Sequence, residues 1–128
     1  MTGFPGESET EFAESVAFTQ ALPFTYLHVF TYSERPGTPA AISEQMPVRL
    51  RKDRNRVLRE LAARKNLEFR KSMIGSSLSV VTLDKGSLSS NFLKVELASA
   101  RPANQLIDVN IGRVTEAGLK EFDPLQVL

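Results

Sequence analysis

Residues 47–82 read PVRLRKDRNRVLRELAARKNLEFRKSMIGSSLSVVT, and the hydrophobic period changes within them. From Pro47, apolar residues recur at helical spacing: Leu50, Val57, Leu58, Leu61, Ala62, Phe69 and Met73. That period predicts one long helix over 47–73, opened by Pro47 at its first position and stopped by Gly75. From Ser77 the period becomes two. Leu78/Val80/Thr82, Leu93/Val95/Leu97 and Ile107/Val109/Ile111 alternate with other residues, separated by turn signals at 84–86 and 101–104. Short alternating strands over about 50 residues predict a small antiparallel barrel.

Upstream of the long helix, Ser8-Glu9-Thr10-Glu11 reads as a capping box. Phe12, Ala13, Val16, Ala17 and Ala21 continue it as a short helix over 9–21, ended by Leu22-Pro23. Residues 26–32, YLHVFTY, are apolar at nearly every position, which suits a strand buried on both faces. His28 within it is expected to be a packed core residue with one hydrogen bond. The fold class expected is α+β: helix, strand and long helix over 1–68, half of a βαβ unit that needs neighbouring strands, then a small antiparallel OB-like β-barrel over 69–128.

The chain has 128 residues and a net charge of +1, and the average hides a polarity. Residues 1–48 hold six acids against Arg35 alone, whereas residues 49–71 hold ten bases against three acids. Such a basic block suits a phosphate backbone, and Arg49, Lys52, Arg56 and Arg59 are its expected RNA contacts, with Glu60–Arg64 neutralising part of it. In the barrel, alternation turns Leu93, Val95 and Leu97 inward and Phe92, Lys94 and Glu96 outward. Phe92 beside Asn91 and Lys94 suits base stacking with phosphate contact. Lys85, Arg101 and Arg113 are looser candidates.

There is no cysteine and one histidine. That excludes disulfides, thiolate zinc sites and cysteine-ligated clusters within this chain. No apolar run reaches the roughly 18 residues of a membrane span, and no signal peptide is evident, so the expected setting is cytoplasmic with no membrane partner.

Two turns carry candidate chemistry. Gly3-Phe4-Pro5-Gly6-Glu7 precedes a helix, where glycine lets backbone amides approach a ligand. In YSERPGTPAA (32–41), Pro36 and Pro39 stiffen a loop that holds one cation, Arg35. Its planar fork suits a carboxylate or a phosphate.

GFPGESETEF (3–12), LPFTYLHVFTYSERPGTPAA (22–41) and RLRKDRNRVLRELAARK (49–65), in this order and followed by the barrel, resemble the C-terminal part of the tRNA methylthiotransferases. The branch acting on threonylcarbamoyladenosine is the most similar. These are radical S-adenosylmethionine (SAM) enzymes ending in an RNA-binding TRAM domain. The resemblance implies the last elements of the partial barrel plus TRAM, with Ser87–Phe92 standing where a TRAM strand often reads G-x-T-x-N-Y, and with the closing GLKEFDPLQVL lacking the glycine that often follows the last strand's leucine. It implies tRNA as partner, with Gly3, Pro5, Gly6, Glu7, Ser33 and Arg35 lining a SAM and substrate pocket. SAM and two 4Fe-4S clusters belong to the full-length parent. Its cluster-binding N-terminal domains would be the missing partners, and this chain alone would bind no cofactor and be inactive. The alternative is a free-standing RNA-binding module without catalysis. A third expectation is a remnant in which Tyr26, Leu27, Val29 and Phe30 stand exposed for want of neighbouring strands.

Overall fold

A computed structural model describes residues 1–126 of the chain. They form two compact units, residues 1–66 and 67–126. α1 spans Glu9–Ala21 and α2 spans Val48–Ser72, which contributes residues to both units.

In the first unit, α1 starts where its sequence says it should. The Ser8 side chain accepts from the Glu11 amide (3.2 Å), and the Glu11 carboxylate accepts from the Ser8 amide (2.7 Å). Those bonds to Ser8, backbone first and side chain second, hold the Glu11 carboxyl below the usual glutamate range. A depressed carboxyl stabilises the fold above its unfolded pKa, roughly 4.3, and that stabilisation is lost as pH falls through the lower folded value. Ser8→Ala is expected to cost about 1 kcal/mol. Glu11→Gln, which removes the titrating group, should flatten the acid limb of helix content followed by circular dichroism. An unchanged acid limb would mean that the box does not set it.

Phe12 of α1 packs with Leu58 and Leu61 of α2, joined by Val16, Val29 and Val57. Gly37 has φ +83 after Pro36, and the Thr38 amide donates to the Arg35 carbonyl (3.3 Å), the pattern of a type II turn. Pro39 then opens a 3-10 turn, Pro39–Ile42.

Residues 26–32 depart from expectation. They form no strand; one parallel bridge, Thr2↔Thr31, is all that pairs them. Tyr26 and Phe30 are 69% and 65% exposed, and His28 is exposed rather than packed in a core. The reason is physical: an apolar run specifies burial only when there are neighbours to bury it. Val29 alone joins the helical cluster, and Leu27 is half-buried.

The second unit is a closed barrel in the order β1-β2-β3-β5-β4. Its strands are β1 (Ser77–Thr82), β2 (Ser87–Ser89), β3 (Lys94–Glu96), β4 (Leu106–Val114) and β5 (Leu119–Glu121). All pairs are antiparallel except β3–β5, which is parallel with Val95 opposite Leu119. Val80, Leu93, Val95, Val109, Ile111 and Leu119 fill the interior, each contributing about 1.5–3 kcal/mol by burial. Phe69 of α2 and Met73, one residue past its end, pack against them.

The polar residues that face inward are satisfied. Ser87 Oγ donates to the Val95 carbonyl (2.9 Å), and Thr82 Oγ1 donates to the Pro102 carbonyl (2.7 Å). Gly75 ends α2 at φ +82, and its amide donates to the Ile111 carbonyl (2.8 Å). At the closing turn, Arg70 Nη1 donates to the carbonyls of Thr115 (2.6 Å) and Gly118 (3.3 Å).

Candidate functional site

The ten bases of residues 49–71 do not behave alike, because α2 sorts them by face. Arg51, Arg54, Leu58 and Leu61 are its buried residues, spaced three and four apart. Arg49, Lys52, Arg56 and Arg59 have the same spacing two residues out of phase. A shift of two positions rotates a helix by about 200°, so this second stripe lies on the opposite side. All four of its residues are exposed. Among the described residues, Arg49, Lys52 and Arg59 make no ion pair or side-chain hydrogen bond. Glu60 pairs with Arg56 (3.0 Å), not with Arg64 as the sequence suggested. Both partners of that pair are solvated, so it is worth only about 0.3–0.5 kcal/mol and leaves Arg56 reachable.

The buried arginines instead hold the Gly3–Glu7 turn. Arg54 Nη1 donates to the Glu7 carbonyl (2.8 Å) and to Glu7 Oε1 (2.6 Å), and its Nη2 pairs with Glu9 (3.2 Å). Burial alone would lower the Arg54 pKa. The hydrogen bonds it donates to Glu7 and Glu9 outweigh burial and hold it above the ordinary arginine value. Its guanidinium carbon also sits 5.1 Å from the centre of the Phe12 ring. Glu7 Oε1 accepts from the Gly3 amide as well (3.1 Å), which closes the turn on itself. Arg51 lies over Gly3, where a Cβ would overlap its side-chain carbons. Arg51 Nε donates to the Met46 carbonyl (2.9 Å). Arg51 and Arg54 were missed as structural cations. Their shared stripe with Leu58 and Leu61 was the available signal.

Pro5, Gly6 and Glu7 line an open cleft of about 670 Å³ together with Phe4, Phe18, Glu11, Glu14 and Ser15. Pro5 and Gly6 also border a second cleft of about 490 Å³ with residues 43–47. Gly3 is buried beneath Arg51 rather than open to either cleft. Ser33 and Arg35 line neither, so the structure does not gather them there with the Gly3–Glu7 turn. Both residues are exposed. The Arg35 side chain has no acid or carbonyl partner among the described residues, and the neighbouring Glu34 pairs with Arg51 instead (3.6 Å).

In the barrel, Phe92 is 85% exposed at the tip of a turn with φ +65, a conformation uncommon for a bulky residue. Asn91 shapes that turn. Its Oδ1 accepts from Ser89 Oγ, and its Nδ2 lies 3.6 Å from the Met73 sulfur, so its side chain is already engaged. Lys94 and Lys85 stand at a mostly apolar cleft of about 540 Å³ whose walls include Leu83, Leu88, Val95 and Leu119. Arg101 is committed to Glu121 (2.6 Å), and Arg113 is exposed. No group of three His, Asp or Glu residues suited to a metal occurs among the described residues. None of their helices is long and apolar enough to cross a membrane.

No family model matches the chain. Curated relatives do. The chain is 33% identical over 113 residues to the threonylcarbamoyladenosine tRNA methylthiotransferase MtaB of Aquifex aeolicus, covering 87% of this chain and 28% of that protein. It is 31% identical over 121 residues to MtaB of Rickettsia prowazekii, covering 94% of this chain and 29% of the relative. It is 38% identical over 86 residues to a tRNA-2-methylthio-N(6)-dimethylallyladenosine synthase of Wolbachia pipientis, covering 66% and 20%. The chain thus spans between a fifth and a third of the length of these relatives. With both kinds of name among its relatives and alignments that run over most of its own length, the chain belongs to the tRNA methylthiotransferase family, whose C-terminal region it matches.

Proposed function

We propose that this chain supplies the RNA grip, and part of the pocket wall, of a radical SAM tRNA methylthiotransferase that acts on threonylcarbamoyladenosine at tRNA position 37. The observation that carries the reading is the exposed stripe Arg49, Lys52, Arg56 and Arg59, set on the face of α2 opposite its buried residues. A row of cations along a rod of 25 residues tracks a phosphate backbone, and releasing its counterions drives binding. The barrel is the TRAM domain in this reading. Phe92 offers a ring for a base to stack on, Lys94 a phosphate contact nearby, and Asn91 holds the turn that presents Phe92. Arg35, fixed by its proline-stiffened turn and with no side-chain partner among the described residues, takes a carboxylate of SAM or of the threonylcarbamoyl group, or a tRNA phosphate.

The chain has no cysteine, so thiolate-held clusters do not fit any of its residues, and their chemistry lies outside it. The cleft beside Pro5, Gly6 and Glu7 is lined by Phe4, Phe18 and Glu14, while Glu7 and Glu11 are held by Arg54 and Ser8; two phenyl rings and one uncommitted carboxylate suit the flat base and cationic sulfonium of SAM. SAM supplies the methyl group and the radical precursor; the residues here bind and orient.

The test is a titration of the chain with tRNA in dilute buffer. Replacing all four stripe residues with alanine is expected to weaken binding by more than about 100-fold. A change below about threefold would sink the reading. In a full-length family member, alanine at the position matching Arg35 is expected to cut tRNA modification sharply; undiminished modification would remove Arg35 from the pocket.

A further inference from the structure

The outer face of the barrel carries an apolar row. Val81 of β1 stands between Leu106 of β4 and Leu88 of β2, and Leu88 stands opposite Lys94 of β3. Residues opposite one another share a face, so these four form one band across four strands. Val81, Leu88 and Leu106 are exposed large hydrophobics, while Val80, Val95 and Val109 beside them in sequence or in space are buried inside. The band runs into the cleft of about 540 Å³, where Leu83 and Leu88 meet Lys85, Lys94, Glu96 and Thr115.

The cleft is preformed, because both turns that wall it are closed by hydrogen bonds. On one side the Leu83 amide donates to the Gly86 carbonyl (3.0 Å). On the other the Thr115 amide donates to the Gly118 carbonyl (2.9 Å), and the Gly118 amide donates to Thr115 Oγ1 (3.1 Å). Its volume falls in the roughly 300–1,000 Å³ range of small-molecule sites. Lys85, Lys94 and Glu96 are exposed at it. Among the described residues, none of the three makes an ion pair or a side-chain hydrogen bond. Two uncommitted cations beside an aliphatic wall call for a ligand with an anion joined to a flat, weakly polar body. A nucleotide has both parts. Phe92 stands at the tip of the β2–β3 hairpin, and Lys94 leads from it to the cleft. Ring, cation and slot in that order suit a single strand rather than a duplex.

We propose that this cleft is a subsite for one unpaired nucleotide, which lays its base against Leu83 and Leu88, sets its phosphate between Lys85 and Lys94, and is selected by Glu96 for an exocyclic amine. This rests on the RNA-binding reading above and adds a base preference to it. A carboxylate only accepts hydrogen bonds, so Glu96 favours a base edge that donates from an amine. Cytosine has that amine where uracil has a carbonyl oxygen, which the carboxylate repels.

The test is a titration of the isotope-labelled full chain with cytidine and uridine 5′-monophosphates, followed by amide shifts in nuclear magnetic resonance. The shifts are expected at residues 83–88, 94–96 and 115–119, with the cytidine nucleotide bound about threefold or more tightly than the uridine one. Glu96→Ala is expected to erase that difference. Lys85→Ala with Lys94→Ala is expected to weaken both nucleotides by about fivefold or more. The amide spectrum of each variant reports that the barrel is intact. Equal binding of the two nucleotides, a preference that survives Glu96→Ala, or equal shifts from ribose 5-phosphate would overturn the proposal. No response to any nucleotide would also overturn it and give the cleft to an apolar peptide instead. The α2 stripe is tested separately: tRNA binding that needs the stripe while the cleft ignores nucleotides would sink this subsite and keep the RNA grip.

Discussion

Arg54→Ala is expected to cost the N-terminal unit about 3–5 kcal/mol, the range for breaking a buried ion pair by removing one partner. The guanidinium is 4% exposed and holds Glu7 by its carboxylate and its carbonyl. Truncation leaves the Glu7 carboxylate, 16% exposed, with the Gly3 amide as its remaining hydrogen-bond donor. Glu9 adds little, because at 83% exposure its attraction is screened by water. The loss is mainly an uncompensated charge, with a smaller part from the Phe12 ring contact. Arg54→Met combined with Glu7→Gln removes both charges and is therefore expected to recover much of the loss. Urea unfolding followed by circular dichroism checks both variants. A loss under 1 kcal/mol for Arg54→Ala, or no recovery in the double variant, would show that the pair is not what holds the turn.

Gly118→Ala is expected to cost the barrel about 3 kcal/mol, although it adds only one methyl group. The new Cβ would lie inside contact distance of the Lys94 carbonyl oxygen and within 3.1 Å of Lys94 Cβ. The obstacle is the backbone of β3, so no rotamer change relieves it. Gly118 is buried, and its carbonyl accepts from the Thr115 amide (2.9 Å) and from Arg70 (3.3 Å), which ties it to the turn entering β5. Relief by moving the chain would pull Leu119 away from Val95 and open the one parallel pairing that helps close the barrel. Gly37→Ala is the contrast. It meets no neighbour, and only its φ of +83 is at stake, so about 1 kcal/mol is expected. Thermal unfolding of the two variants separates a steric clash from a conformational preference, and equal losses would contradict the assignment.

What could be read in advance follows the range of each signal. α1 was legible because a capping box is local: Ser8 and Glu11 meet whatever surrounds them. α2 and the longer strands β1 and β4 were legible because a period needs five or more residues to declare itself. β2 and β5 have three residues each, too few for alternation; the family resemblance pointed to β2 and gave β5 no position. Residues 26–32 misled because hydrophobicity reports what a segment could bury, not whether a neighbour is present to bury it. At the candidate site, charge counting found the basic block but not its division. Arg51 and Arg54 are as basic as Arg49 and Lys52, and only phase relative to Leu58 and Leu61 separates an internal strut from a solvated cation. Phe92 was rightly turned outward by alternation from Leu93. The engagement of Asn91 by Ser89 and Met73 depends on a tertiary contact that no spacing encodes.

The most direct measurement of the central claim is the salt dependence of tRNA binding by the intact chain and by the variant with alanine at 49, 52, 56 and 59. If the solvent-facing row on α2 grips the phosphate backbone, the slope of log affinity against log salt falls by about three to four in the variant. A variant whose slope matches the wild type, or a wild-type chain that releases tRNA even in dilute buffer, would contradict it.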